Sequence, residues 1–145
     1  MRQRLAVIAS LAMVATALAA AGAQQAAPRT VLDGAYTTEQ AKRGEAIYKE
    51  TCEACHGAKL TGGDLAPPLT DRDFIAAWRG LAVSDLFDKI SMTMPSNEPG
   101  KLTPRQAADV LAFVLSVNRY PAGTTELPNE ASQLKELRMV APPQP

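Results

Sequence analysis

The chain has 145 residues, with fifteen basic and fifteen acidic side chains and a formal net charge of zero, so it carries no basic excess for gripping nucleic acid. Two cysteines and one histidine are its only thiols and imidazole, too few for a zinc site built from four Cys and His ligands. Aromatic residues make up only 5%, so side chains alone would build a modest core.

Residues 1–23 read as a secretory signal. Arg2 and Arg4 give a short basic start, Leu5 to Ala20 carries no charge, and Ala21-Gly22-Ala23 offers the small-x-small pattern of a cleavage site. A membrane-spanning helix is the rival reading, but the apolar run is at the lower edge of spanning length. Cleavage predicts an exported, periplasmic chain of 122 residues that starts at Gln24 and is not stably inserted in a membrane. The two arginines leave with the signal, so thirteen basic residues then face fifteen acidic ones. Residues 24–36 form a polar leader without a clear period, predicted either to drape over the domain or to be mobile.

Thr37-Thr38-Glu39-Gln40 has the form of a capping box and predicts a helix start. Ala41, Gly44, Tyr48 and Thr51 follow at steps of three and four, with Ile47 beside them, which marks one packing stripe. A glycine in mid-helix costs about 1 kcal/mol relative to alanine. Close approach of another helix would justify Gly44, and a tolerated surface glycine is the plain alternative.

Cys52-Glu53-Ala54-Cys55-His56 comes next. Two cysteines at this spacing followed at once by histidine form the c-type haem attachment pattern. One helical turn presents both sulfurs to one porphyrin edge for thioether formation, and the next residue brings its imidazole under the iron. A thioredoxin-like redox pair would need a βαβ surrounding, and the flanks show none. A structural disulfide stays open for an exported chain.

From Gly57 to Leu69, three glycines and two prolines predict an ordered loop. A carbonyl at Pro67 or Pro68 can accept a hydrogen bond from the free ring nitrogen of His56 and fix the imidazole. Simple stiffening of the loop explains the same prolines. Asp71 to Trp78 reads as a short helix capped by Thr70 or Asp71, and Ser84 as the cap of a second helix running to about Met92, with Leu86, Phe87 and Ile90 inward. Phe74 and Phe87 are core candidates. Trp78 is either core or core with its indole N–H on a haem propionate.

Pro95 and Pro99 turn residues 91–100 into an extended loop. With no second histidine, a methionine is the available sixth ligand, and Met/His is an established axial pair. Pro95 restricts the residue before it to extended geometry, which favours Met94. Met92 is expected to pack at the end of the preceding helix. Thr103-Pro104-Arg105-Gln106 is a second capping box with proline at the first helical position. Ala107, Val110, Leu111, Val114 and Val117 mark one face of that helix, Phe113 lies beside it, and the helix should end near Asn118. In the tail, Asn129 is a candidate cap for a short helix carrying Leu134 and Leu137. The tail could pack on the domain or bind a partner.

Helix, motif, proline loop, Thr93-Met94-Pro95 and final helix together resemble the class I, mono-haem cytochrome c family over roughly residues 37–121. The stretches Met94 to Gly100, Asp109 to Phe113 and Pro121-Ala122-Gly123 are similar to bacterial periplasmic cytochromes, some of which accompany periplasmic dehydrogenases. The resemblance implies an all-α fold in which the N- and C-terminal helices cross at Gly44 and Phe113, with short helices and loops around one covalently bound haem c. It implies thioethers at Cys52 and Cys55, axial ligands His56 and Met94, and haem packing or support from Pro67, Pro68, Leu69 and Trp78. It divides the chain into a signal (1–23), a leader (24–36), a cytochrome domain (37–121) and a tail (122–145). Arg119 departs from the glycine that relatives often place after the asparagine, which touches the turn ending the helix.

The implied function is one-electron transfer between redox proteins, from a dehydrogenase donor to a cytochrome or oxidase acceptor, without enzymatic turnover. Two alternatives remain at this level. One is a haem enzyme or sensor with a displaceable sixth ligand, and the other is a dedicated haem subunit locked to one dehydrogenase or oxidase by the tail.

Overall fold

The computed structural model describes residues 29–142; the signal (1–23) and the first part of the leader lie outside them. The described residues are helical, with two isolated bridges and no strand. Six α-helices follow in order: α1 (Thr38–Thr51), α2 (Glu53–His56), α3 (Asp71–Trp78), α4 (Val83–Thr93), α5 (Pro104–Val117) and α6 (Ala131–Leu134).

Helix α5 is the axis of the core. Its capping box forms as its sequence predicts: Thr103 Oγ1 accepts from the Gln106 N–H at 3.3 Å and Gln106 Oε1 accepts from the Thr103 N–H at 3.0 Å. Burial goes well beyond one stripe and includes Ala107, Ala108, Asp109, Val110, Leu111, Ala112, Val114 and Leu115, because α1 and α4 both pack against it. The helix ends at Asn118, and Arg119 takes φ +63°, the left-handed conformation that glycine adopts without strain.

The crossing of α1 on α5 depends on Gly44. A Cβ placed there would sit 1.8 Å from the Asp109 carbonyl oxygen and 3.0 Å from the Phe113 Cβ. Tyr48, one turn later, packs its ring 5.3 Å from that of Phe113. The mid-helix glycine is therefore a contact residue of the crossing. Arg43 joins the same two helices: its Nε and Nη2 donate to the two oxygens of Asp109 at 3.0 and 2.9 Å, and Nη2 also reaches Glu126 in the tail at 2.9 Å.

Only half of the first capping box forms. Thr37 Oγ1 accepts from the Gln40 N–H at 3.1 Å, but the Gln40 side chain points elsewhere. Its Nε2 donates to the Leu127 carbonyl at 3.0 Å and its Oε1 accepts from the Leu127 N–H at 2.7 Å. A backbone pair in the tail outcompetes the local cap, and Gln40 is buried as a result.

The sequence left leader and tail open between packing and mobility or partner binding. Both pack as far as they are described. Residues Val31–Asp33 make a 3-10 turn, Val31 is fully buried, and Tyr36 donates its hydroxyl to the Tyr120 carbonyl at 2.6 Å. Arg138 bridges to both Thr30 and Ala82, and Leu127, Leu134, Leu137 and Met139 all enter the core.

Three local expectations change. Helix α4 starts at Val83 with Ala82 as the flanking residue, because the Asp85 carboxylate accepts from the Ala82 N–H at 3.2 Å; Ser84 lies inside the helix, buried. Helix α6 takes Glu130, not Asn129, as its flanking residue, and Leu137 lies beyond it. Met92 does not pack at the end of α4: the helix runs on to Thr93, and Met92 is 66% exposed on its outer side.

Candidate functional site

The backbone of α1 runs into the short turn α2 with Cys52 as the joint, its N–H donating to the Tyr48 carbonyl. The turn presents Cys52, Cys55 and His56 in one local unit, closed by the His56 and Gly57 N–H groups on the Cys52 and Glu53 carbonyls at 3.0 and 2.8 Å. Both thiols are free; Cys52 is half-buried and Cys55 exposed. Burial, with a smaller contribution from Cys55, pushes the Cys52 thiol up to about 11, so at neutral pH it stays protonated.

His56 is buried, and its Nδ1 lies 2.9 Å from the Pro67 carbonyl oxygen. A carbonyl only accepts, so Nδ1 is the donor, and in the neutral ring the lone pair then sits on Nε2. The loop carbonyl anticipated at Pro67 or Pro68 is thus that of Pro67. Orientation of an imidazole by a backbone carbonyl is the usual support for a metal-binding histidine.

The loop that delivers Pro67 is closed by contacts its glycine and proline content did not reveal. Gly62 donates its N–H to the His56 carbonyl at 3.0 Å, and a Cβ there would meet the Pro68 nitrogen at 2.6 Å and the Pro67 carbonyl carbon at 2.7 Å. The Leu69 N–H donates to the Leu60 carbonyl at 2.8 Å, and the Leu69 carbonyl accepts from the Asn118 side chain at 2.9 Å. Leu69 packs against the core, whereas Pro67 is exposed and Pro68 half-buried. Tyr48 adds a brace from α1, its hydroxyl donating to the Gly57 carbonyl at 2.7 Å. Burial first, then the nearby Cys52 and Glu53, pushes that phenol up to about 12. Tyr48 and Asn118 are the supports that sequence reasoning missed. Tyr48 was visible as a packing residue, but the target of its hydroxyl depends on the fold.

Met94 ends α4 with φ −115° and ψ 148°, the extended geometry expected before Pro95, and is half-buried. It belongs to a separate segment and shares no hydrogen bond with the His56 loop among the described residues. Trp78 is half-buried beside Phe74, with ring centroids 6.4 Å apart, which makes it a core-packing residue.

The residues present fit a c-type haem: two free thiols three positions apart on one turn, and a histidine with one nitrogen held by a carbonyl and the other carrying its lone pair. No helix among the described residues is long and apolar enough to cross a membrane.

The family model described as "Cytochrome C oxidase, cbb3-type, subunit III" matches residues 39–114. No curated protein compared with the chain matches significantly. Among solved structures, the chain is similar to one from the sulfane dehydrogenase SoxCD of Paracoccus pantotrophus, with 16% identity and a TM-score of 0.46. That likeness covers 74% of this chain and 61% of the other, so this chain spans less than two thirds of its length.

Proposed function

We propose, from the premise that the chain belongs to the cytochrome c family represented by the cbb3-type oxidase subunit III model, that it is an exported single-haem carrier shuttling one electron at a time between redox proteins. Haem-based electron transfer follows from the family. The finer assignments rest on this chain's own residues. Cys52 and Cys55 would hold the haem through two thioethers, and His56, through Nε2, and Met94 would ligate its iron.

The observation that carries the reading is the His56 Nδ1 to Pro67 carbonyl contact at 2.9 Å. It selects the tautomer, aims Nε2, and holds the ring without needing the iron to do so. Gly62 lets the loop come close enough to make that contact, and Tyr48 and Asn118 hold its two ends. When bound, the haem supplies the reversible one-electron couple. The protein's part is to keep the ligands in place so that little rearranges with each electron. A thioether favours the reduced metal, so Met94 predicts a fairly high potential. With an overall charge near zero, docking depends less on long-range steering than it does for a strongly basic carrier.

A dehydrogenase donor and a cytochrome or oxidase acceptor fit this chemistry. The described part of the tail packs into the core, so it supports the domain itself and leaves the carrier reading ahead of one in which residues 122–145 are a free locking arm.

Carbon monoxide addition to the reduced holoprotein tests the axial assignment. The wild-type spectrum should stay unchanged over minutes, while Met94→Ala should bind carbon monoxide promptly and show a lowered potential. Prompt, complete binding by the wild type would replace the carrier with a haem enzyme or sensor. An unchanged potential and spectrum in Met94→Ala would remove Met94 from the iron.

A further inference from the structure

Behind the proline loop, α3 and the end of α5 bound a cavity of about 390 Å³. Three arginines line it from two directions: Arg72 on α3, Arg79 just after that helix, and Arg119 in the turn that ends α5. Ile75 and Val117 give it apolar walls. Asp71 is the one carboxylate in the lining, and Asp73 lies in a smaller hollow alongside, which Arg72 also lines. Among the described residues, none of the three guanidinium groups is in an ion pair.

Three unpaired cations at one cavity are a local concentration on a chain whose formal net charge is zero. Arg119 holds its place at a cost. At φ +63° a residue with a Cβ is strained, and glycine would relieve that strain while removing the charge. Asp71, in the same lining, and Leu60 take the same left-handed conformation. Guanidinium forks match carboxylates in a planar, two-bond geometry. A concave site lined by three guanidinium groups fits carboxylates that protrude from a partner chain.

We propose that this cavity is a docking site for an acidic segment of a protein partner, whose Asp or Glu carboxylates seat on Arg72, Arg79 and Arg119. The site goes beyond the electron-carrier reading and does not depend on the haem ligands. Its occupant would touch Asn118, whose side chain holds the Leu69 carbonyl two residues from Pro67, so the partner would rest against the loop that orients His56.

Titration of a labelled hexaglutamate peptide into the full-chain holoprotein tests the site. Saturable binding is expected, weakening with added salt and at least fivefold weaker in both Arg72→Gln and Arg119→Gly. The second variant relieves the backbone, so its loss of binding would not reflect poor folding. Arg105→Gln, an exposed arginine outside the cavity, should bind as the wild type does. No saturable binding, or equal binding in the two cavity variants, would overturn the proposal. Displacement of the peptide by equimolar inorganic phosphate would also overturn it, in favour of a small-anion pocket, and a preference for phosphatidylserine vesicles over the peptide would do so in favour of a lipid.

Discussion

At Gly44 there is no room for even one methyl group: the position a Cβ would occupy lies 1.8 Å from a carbonyl oxygen of α5. Alanine is the better helix former by about 1 kcal/mol, but here it would push α1 off α5 and separate Tyr48 from Phe113. Gly44→Ala is expected to destabilise the protein by about 3 kcal/mol, read as a lower urea midpoint at an unchanged slope. The same crossing reaches the site. Tyr48 contacts Phe113 with its ring and the Gly57 carbonyl with its hydroxyl, so a displaced α1 would also loosen the chain next to His56. Close approach at Gly44 was legible from the sequence because a mid-helix glycine without a reason is costly. The hydroxyl contact of Tyr48 was not, since nothing local distinguishes a phenol that braces a loop from one that faces water.

Among the elements, the α5 cap was legible because its signal is self-contained, whereas the α1 cap was not because a distant partner sets it. The α5 capping box uses residues three apart, so its geometry is written in four consecutive positions. The α1 box looks the same in sequence, yet Gln40 bonds to Leu127, 87 residues away. The start of α4 misled for a local reason: a carboxylate inside the helix, Asp85, accepts from the Ala82 N–H, so the helix begins before Ser84 without a hydroxyl cap. The His56 contact with the proline loop was legible as far as a choice between Pro67 and Pro68, because a loop directly after the histidine is well placed to bond its free ring nitrogen. Element-scale predictions follow from the unforeseen contacts. Arg43→Ala leaves the buried Asp109 carboxylate without its partner and should cost about 2 kcal/mol, less than for a fully buried pair because solvent screens the half-exposed arginine. Arg43→Lys should recover less than half of that in thermal unfolding, since an ammonium cannot reproduce the two-bond fork. Leu134, fully buried on α6, should cost about 2–5 kcal/mol when replaced by alanine; a loss under 0.5 kcal/mol in denaturant titration would mean the tail adds nothing to the fold.

For the whole molecule, the three tyrosines of the chain act in one direction with pH. Tyr36, Tyr48 and Tyr120 are all raised by burial, the last two to about 12 from an ordinary 10.0. Between those values the unfolded chain has released phenolic protons that the folded chain keeps. The folded state therefore binds more protons, and stability falls as pH rises through that window. Below pH 10 the three groups are protonated in both states and contribute no slope. Alkaline titration should show phenolate absorbance appearing together with loss of helical circular dichroism in one transition; ionisation of all three tyrosines near pH 10 with the helices intact would contradict it.

The seam between the two ends of the chain has a further consequence, for timing. Tyr36 waits for Tyr120, Gln40 for Leu127 and Thr30 for Arg138, and such long loops must close before their contacts reward closure. A polypeptide is made from its N-terminus, so Cys52, Cys55 and His56 exist well before the residues that complete the core around them. During that interval the thiols sit on an unfinished chain, where the burial that suppresses Cys52 has not yet been imposed. The late arrival of the C-terminal core residues thus leaves an early period in which Cys52 is not yet half-buried, whereas Cys55 stays exposed even in the finished fold.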